Sequence, residues 1–206
     1  MTMRLARNLV SFCIFGALTT ITACGDDGAG GEDNEVITTV TLELVPMGGG
    51  DTVTASFNDA DGDGGGAPII DPLNLVTAKT YAVTVRFLNA LETPPEDITV
   101  EVRDESDEHF VFFTGTAVNG PATNQPAAPV THTYADMDAN GIPIGLSNTF
   151  VTRPGTGQLT VTLRHLPPVN DTAVKTADLP MQIKNSGFAA LPGSSDVSVT
   201  FMTTVQ

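Results

Sequence analysis

Residues 81–87 decide the fold class, because the segment Tyr81-Ala82-Val83-Thr84-Val85-Arg86-Phe87 has large apolar side chains at every second position. Successive side chains of a β-strand point to opposite faces, so period-two alternation is typical of a strand with one buried face. A helix would instead repeat its apolar positions every three or four residues. The segment therefore predicts a half-buried strand.

The same pattern recurs along the chain, and no stretch shows convincing helical periodicity. Residues 109–114 are almost continuously apolar, which predicts a strand buried on both faces. The other predicted strands cover residues 36–44, 53–57, 98–102, 130–135, 147–152, 158–165 and 197–205. Because no helices separate the strands, residues 36–206 are predicted to form one all-β domain. We expect a single antiparallel β-sandwich, Ig-like or jelly-roll-like, with about nine strands. The long connections, at 59–72, 115–129 and 167–192, are expected to be loops.

The first 23 residues have the pattern of a secretory signal peptide, with Arg4 and Arg7 ahead of a short apolar stretch. That stretch is too short to span a bilayer. It ends in Ile21-Thr22-Ala23-Cys24, which resembles the bacterial lipobox, in which the cysteine is acylated and becomes the new N-terminus. We therefore expect lipidation at Cys24, and ordinary secretion with a buried Cys24 is the alternative.

Residues 24–35 are acidic and glycine-rich, so we expect a flexible tether between the lipid and the domain. In lipoproteins of enterobacterial type, an aspartate directly after the cysteine favours the inner membrane, whereas this chain has Gly25. We therefore expect an outer membrane lipoprotein. Acidic residues just after the cysteine resemble surface-export tags, which points to exposure at the cell surface. We therefore expect the protein to have the membrane as a partner, through its N-terminal lipid.

Charge and cysteine content exclude several classes of protein. The chain carries 24 acidic residues against 9 basic ones, for a net charge of -15. Such a surface repels polyanions, so no nucleic-acid partner is expected. Cys13 would leave with the signal peptide and Cys24 would be lipidated, so no intramolecular disulfide is expected.

Two acidic loops match the first half of a calcium-binding loop, with oxygen-bearing side chains at alternate positions and glycine at the sixth. Their candidate ligands are Asp59, Asp61 and Asp63 in the first loop, and Asp136, Asp138 and Asn140 in the second. The twelfth positions, Ile70 and Ser147, lack the bidentate glutamate of an EF-hand. The loops are therefore expected to hold structural Ca²⁺ with modest affinity, or to consist simply of good turn-forming residues.

A transition-metal site is the second candidate. His109 follows an acidic run that includes Glu105 and Glu108, and imidazole with carboxylate is a ligand set for Zn²⁺ or Cu²⁺. His165 lies on the same predicted strand face as Leu163 and points toward the core. The two histidines could converge at the ends of adjacent strands. The alternatives are a solvated hairpin tip and hydrogen-bonded structural histidines, and the third histidine, His132, is interpreted as structural.

Catalytic motifs give no support for an enzyme. The sequence contains no Gly-x-Ser-x-Gly elbow, no His-Glu-x-x-His and no glycine-rich phosphate loop. It has no Trp and two Tyr, so it has few aromatic side chains to stack on sugar rings. We expect a protein that is not an enzyme.

Several short stretches, taken in this order, resemble one bacterial family. They are residues 36–39 (VITT), 48–50 (GGG), 59–68 (DADGDGGGAP), 108–110 (EHF), 134–138 (YADMD), 141–146 (GIPIGL) and 163–165 (LRH). They are similar to short lipoproteins, chiefly from Bacteroidetes, that carry the label "type 1 periplasmic binding fold superfamily protein". That label implies a two-lobed α/β protein with repeated βαβ units, which the strand pattern does not contain. The resemblance implies membership of an envelope lipoprotein family and transfers no catalytic residues.

These observations predict a lipid-anchored, non-enzymatic binding protein of the cell envelope. It would capture a metal ion or small ligand at the outer membrane and could pass it to an envelope uptake receptor. The alternative is a structural or adhesive surface β-module whose loops are stabilised by calcium.

Overall fold

The structure is a computed structural model that describes residues 35–206. The signal peptide, Cys24 and the tether up to residue 34 lie outside the described residues. The strands are β1 (Thr39–Pro46), β2 (Val53–Asn58), β3 (Ile69–Ile70), β4 (Leu73–Leu75), β5 (Thr80–Leu88), β6 (His109–Thr114), β7 (Val118–Asn119), β8 (Val130–Tyr134), β9 (Ser147–Thr152), β10 (Gly155–His165) and β11 (Ser194–Val205). The α-helices are α1 (Ile98–Asp104) and α2 (Leu179–Ser186), and short 3₁₀ turns lie at Gly62–Gly64 and Phe188–Ala190.

The strands form two sheets. The seven-stranded sheet has the order β3-β2-β1-β5-β9-β8-β7, and the four-stranded sheet has the order β4-β11-β10-β6. Most pairs are antiparallel, but β11 pairs with β4 in parallel, and so does β7 with β8. The expectation of about nine purely antiparallel strands is therefore wrong, because the described residues contain eleven strands in mixed sheets. The strands missed at 69–70, 73–75 and 118–119 have two or three residues, too few to show alternation.

The segment 98–102, predicted as a strand, is part of α1. Its apolar residues lie at 98, 100 and 102, and the first and last of these also match one helical turn. Asp97 starts the helix, because its Oδ1 accepts a hydrogen bond from the Thr99 backbone N–H at 3.1 Å. Ile98 and Val102 are buried while Val100 is 47% exposed, as helical spacing requires. Helix α2 was also missed, since it lies in the connection expected to be a loop.

The hydrophobic core lies between the two sheets, as in a β-sandwich. It takes the alternating residues of β5 (Tyr81, Val83, Val85 and Phe87) together with inward-facing residues of β1, β10 and β11. Strand β6 is buried on both faces, as predicted. Its Val111 and Phe113 belong to this core, whereas Phe110 and Phe112 belong to a second cluster with Leu179 and Ile183 of α2. The site described below lies where β6 begins and β10 ends.

No helix in the described part of the chain is both long enough and apolar enough to cross a membrane.

Candidate metal centre

Two histidines lie side by side at the edge of the four-stranded sheet. His109 is the first residue of β6 and His165 is the last residue of β10, and the antiparallel register pairs them directly. Their imidazole rings stack with centroids 4.7 Å apart and planes only 6° apart. The prediction that both histidines lie at the ends of adjacent strands is therefore confirmed.

Two glutamates complete this cluster. Helix α1 ends at Asp104 and Glu105 caps it, and a tight turn follows in which the Glu108 N–H donates to the Glu105 carbonyl at 2.9 Å. The turn leaves Glu105 Oε2 4.0 Å from His109 Nδ1, and Glu108 Oε2 3.7 Å from His165 Nε2. One ligand atom from each of Glu105, His109 and His165 lies within 4.8 Å of the other two. All four residues predicted for a transition metal are thus brought together.

The ring nitrogens of this pair are suited to a metal. His109 Nδ1 lies 3.2 Å from the Glu105 carbonyl oxygen, an acceptor, so Nδ1 carries the proton and Nε2 keeps its lone pair. His109 is fully buried, and its Nε2 has no hydrogen-bond partner. Burial lowers the pKa of His109 to about 4, and the Glu105 carbonyl offsets this only in part. The imidazole is therefore neutral at pH 7, the form that coordinates metals.

Coordination requires a rearrangement of the pair, because the in-plane lone pairs of two parallel rings do not converge. His165 is the ring with more freedom to turn. Its side chain is 13% exposed, and its Nδ1 is buried without a hydrogen-bond partner. His109, by contrast, is enclosed and fixed by its contact with the Glu105 carbonyl.

Two further acidic residues near this centre, Asp196 and Glu35, were missed by the sequence analysis, whereas Glu101 belongs to the acidic run that precedes His109. Asp196 of β11 has both carboxylate oxygens buried without a hydrogen-bond partner. Burial raises the pKa of Asp196 to about 6, although His165 pulls the pKa down. Glu35, the last residue of the predicted tether, shares a hydrogen bond with Glu101 of α1. Partial burial and the Glu101 carboxylate raise the pKa of Glu35 to about 7. No spacing rule links Glu35, Glu101 and Asp196, since they come from three distant segments.

Glu35 and Asp196 also line an acidic cavity of about 580 Å³ together with Asp59 and Asp61. Asp59 Oδ1 is buried without a hydrogen-bond partner, while Asp61 Oδ2 accepts from the Gly66 N–H at 3.0 Å. The chain folds so tightly over Asp61 that a Cβ on Gly66 would come within 2.8 Å of its carboxylate. The first calcium-type loop thus places two of its carboxylates on this cavity, and the side chain of Asp63 lies outside the described set.

The second calcium-type loop is held by protein groups. Asp136 accepts from the Gly145 and Ser147 N–H groups at 2.8 and 2.9 Å. Asp138 Oδ1 accepts from the N–H groups of Asn140 and Ile142. Its Oδ2 forms a buried ion pair with Lys175 at 2.8 Å. The ammonium group supplies the positive charge that calcium was expected to supply, and Asn140 contributes its backbone to the turn. These contacts favour the alternative of turn-forming residues, while calcium at this loop stays a prediction.

His132, the third histidine, lies in the core away from this cluster. Its Nε2 lies 2.9 Å from Asn148 Oδ1, and its ring packs against Phe113 and Phe150. This environment fits a structural histidine.

No protein-family model matches the chain, and neither a curated protein nor a solved structure matches it. The resemblance to short bacterial lipoproteins therefore stays a prediction.

Proposed function

We propose that this protein is a lipid-anchored, non-enzymatic binding protein of the cell envelope. Its ligand is a transition-metal ion, Zn²⁺ or Cu²⁺, bound by Glu105, His109 and His165. The observation that carries the proposal is the cross-strand pair of His109 and His165. The His109 imidazole is buried and neutral, and the Glu105 carboxylate lies close to both histidines. A buried ring nitrogen without a partner costs stability, which a bound metal ion would recover.

The distances between the ligand atoms of Glu105, His109 and His165 would suit a small cation after modest side-chain movement. Zn²⁺ binds imidazole nitrogen and carboxylate oxygen at about 2.0–2.2 Å, so the ligand atoms of a tetrahedral site lie about 3.4 Å apart. One ligand atom of each residue already lies within 4.8 Å of the other two, and Glu105 Oε2 lies on the Nδ1 side of His109, so it must swing toward Nε2 to share a metal with it. Turning the His165 ring and closing the exposed Glu105 side chain would bring them to that spacing. Glu108, which already faces His165, is the natural fourth ligand.

The cellular part of the proposal depends on the N-terminal sequence. The lipobox-like segment ending at Cys24 supports anchoring at the outer membrane, with the domain exposed on the cell surface. The net charge of -15 raises the local concentration of cations around the domain. From this position the protein would capture metal ions and pass them to an uptake receptor.

Calorimetric titration of the full chain with Zn²⁺, Cu²⁺ and Ca²⁺ tests the metal assignment. We expect Zn²⁺ or Cu²⁺ to bind more tightly than about micromolar, and His109→Ala and His165→Ala each to abolish this binding while sparing Ca²⁺. His132→Gln is the matched control, because it changes the remaining histidine and should bind like wild type. Circular dichroism would verify that each variant is folded. Binding weaker than micromolar in wild type, or wild-type binding in both alanine variants, contradicts the proposal.

A second candidate function is a structural or adhesive surface module with calcium-stabilised loops. The observation that favours it is the acidic cavity, where Asp59 Oδ1 is buried without a partner beside Asp61. Hard cations such as Ca²⁺ prefer oxygen ligands, so this function predicts calcium binding that survives the loss of either histidine.

A further inference from the structure

A β-bulge in β11 lies directly beside the metal centre. The register of β10 and β11 pairs Leu163 with Val197 but Arg164 with Ser195, so Asp196 is an extra residue without a partner across the ladder. A bulge re-aims the side chain of its extra residue, and bulges are over-represented next to functional sites. Here it coincides with the strand end that carries His165.

The segment around the bulge is tied to β10 by one side chain. Arg164 is 8% exposed, and its guanidinium donates to the carbonyl oxygens of Leu191, Pro192 and Gly193 and to Ser195 Oγ, at 2.7–3.1 Å. Gly193 also lies so close to the strand that a Cβ would meet the His165 carbonyl oxygen. The start of β11, and with it Asp196, is therefore held against the His165 backbone.

The Asp196 carboxylate on β11 and the His165 ring on β10 both carry buried polar atoms that lack a hydrogen-bond partner. Both carboxylate oxygens of Asp196 are buried without a hydrogen-bond partner, and so is Nδ1 of His165. The other ring nitrogen, Nε2, lies on the Glu108 side at 3.7 Å. An acceptor and a potential donor, each lacking a partner, thus lie on neighbouring strands.

We propose that Asp196 is the positioning residue of the metal centre: it accepts a hydrogen bond from His165 Nδ1–H and so aims Nε2 at the metal. This inference rests on the proposed function. A turn of the His165 ring forms this bond before any metal binds, and the same turn gives Nε2 the orientation that coordination requires. Histidine ligands almost always donate their other ring N–H to a carboxylate or carbonyl, which sets the tautomer and raises ligand basicity. For His109, the Glu105 carbonyl plays this part.

The test combines Zn²⁺ affinity with the tautomer of His165 in the full chain. Loss of a carboxylate partner of this kind costs about 10–100-fold in metal affinity, so Asp196→Ala should weaken Zn²⁺ binding by that factor. Asp196→Asn keeps an acceptor oxygen and should recover part of the loss. In long-range ¹H–¹⁵N spectra of the metal-free protein, wild type should show His165 protonated at Nδ1, and Asp196→Ala should shift the proton toward Nε2. The chain has only three histidines, so the His109 and His132 variants assign these signals.

Asp59→Ala is the matched control, because it removes another carboxylate of the same cavity. It should leave the His165 tautomer and the Zn²⁺ affinity near wild type. Equal losses in Asp59→Ala and Asp196→Ala would overturn the inference and indicate a general charge effect. Unchanged affinity or an unchanged tautomer in Asp196→Ala would overturn it as well. If wild type binds no Zn²⁺, the proposed function fails, and the tautomer comparison alone still decides whether Asp196 orients His165.

Discussion

Replacing Lys175 with methionine should strongly destabilise the domain, because it breaks a buried ion pair from one side. The Lys175 and Asp138 side chains are 1% and 0% exposed, and Nζ also donates to the Ser106 carbonyl at 2.6 Å. The substitution leaves a carboxylate oxygen and a carbonyl oxygen buried without that donor. Breaking a buried pair in this way costs about 3–5 kcal/mol. For a domain of this size, each kcal/mol corresponds to roughly 2–4 °C, so the melting temperature should fall by about 6–20 °C.

The loss of stability in Lys175→Met should depend on pH, because it depends on the charge of Asp138. Burial by itself would raise the pKa of Asp138, but the Lys175 ammonium and the Ile142 and Asn140 N–H groups outweigh burial and hold the pKa below its ordinary value. A carboxyl group with a lowered folded pKa contributes stability above its unfolded pKa, and that stability is lost as the pH falls through the folded pKa. Without Lys175, Asp138 loses this stabilisation. The difference between wild type and Lys175→Met should therefore be largest near pH 7 and should shrink as the pH falls through the folded pKa of Asp138, which lies below the ordinary value of about 3.9.

Urea denaturation measures the effect. Lys79→Met is the matched control, because the Lys79 ammonium makes only an exposed 3.4 Å contact with the Gly49 carbonyl. This surface change should stay within about 0.5 kcal/mol of wild type. Adding Asp138→Asn to Lys175→Met should recover part of the loss, since the buried charge is then gone from both sides. A loss below about 1 kcal/mol for Lys175→Met would refute the reasoning, because it lies far under the cost of breaking a buried pair.

Three further predictions concern pH, calcium and processing. Burial lowers the pKa of His132 to about 4, so the unfolded chain binds its proton near pH 6.5 before the folded chain does. The His132 contribution to stability, up to about 3 kcal/mol, should be lost in wild type as the pH falls from 6.5 to 4, and His132→Gln should lack this part of the pH dependence. Equal pH slopes of the two proteins in denaturant unfolding would contradict it. If the Asp59–Asp61 loop binds Ca²⁺, saturation at about 100 times the dissociation constant should add about 2.7 kcal/mol, seen as a higher melting temperature than in chelator. An unchanged melting temperature would leave the turn-forming interpretation. Cys24→Ala should accumulate an unprocessed precursor of lower gel mobility, and normal maturation would rule out lipidation.

The fold class could be predicted because alternation was long enough to read in most strands. Residues 81–87 were predicted to form a strand buried on one face, and residues 109–114 a strand buried on both faces. Both predictions are confirmed. The error at 98–102 arose because positions 98 and 102 fit a helix turn as well as a strand. The deciding interactions were the Asp97 cap and the Thr99 hydroxyl, which bonds to the Phe87 backbone, and a tertiary contact of this kind leaves no periodic signal.

The arrangement of the candidate metal centre could be predicted in part, because most of its residues lie close together in sequence or at the end of a predicted strand. His109, Glu105 and Glu108 are close in sequence, and His165 lies at the end of a recognisable strand. Asp196 was missed because it lies on β11 at a bulge, which interrupts the alternation that sequence analysis depends on. At the second acidic loop, the spacing left calcium binding and simple turn formation as alternatives, because it does not show that Lys175, 37 residues away from Asp138, forms an ion pair with that carboxylate.

X-ray absorption at the zinc edge of the Zn²⁺-loaded full chain tests the central claim most directly. We predict two imidazole ligands with Zn–N distances of about 2.0–2.1 Å, completed by carboxylate oxygens. His165→Ala should bind no Zn²⁺ at this site and so lose the two-imidazole signal, whereas His132→Gln should keep both imidazoles. A spectrum of wild type with only oxygen ligands, or with two imidazoles retained in His165→Ala, would contradict the account.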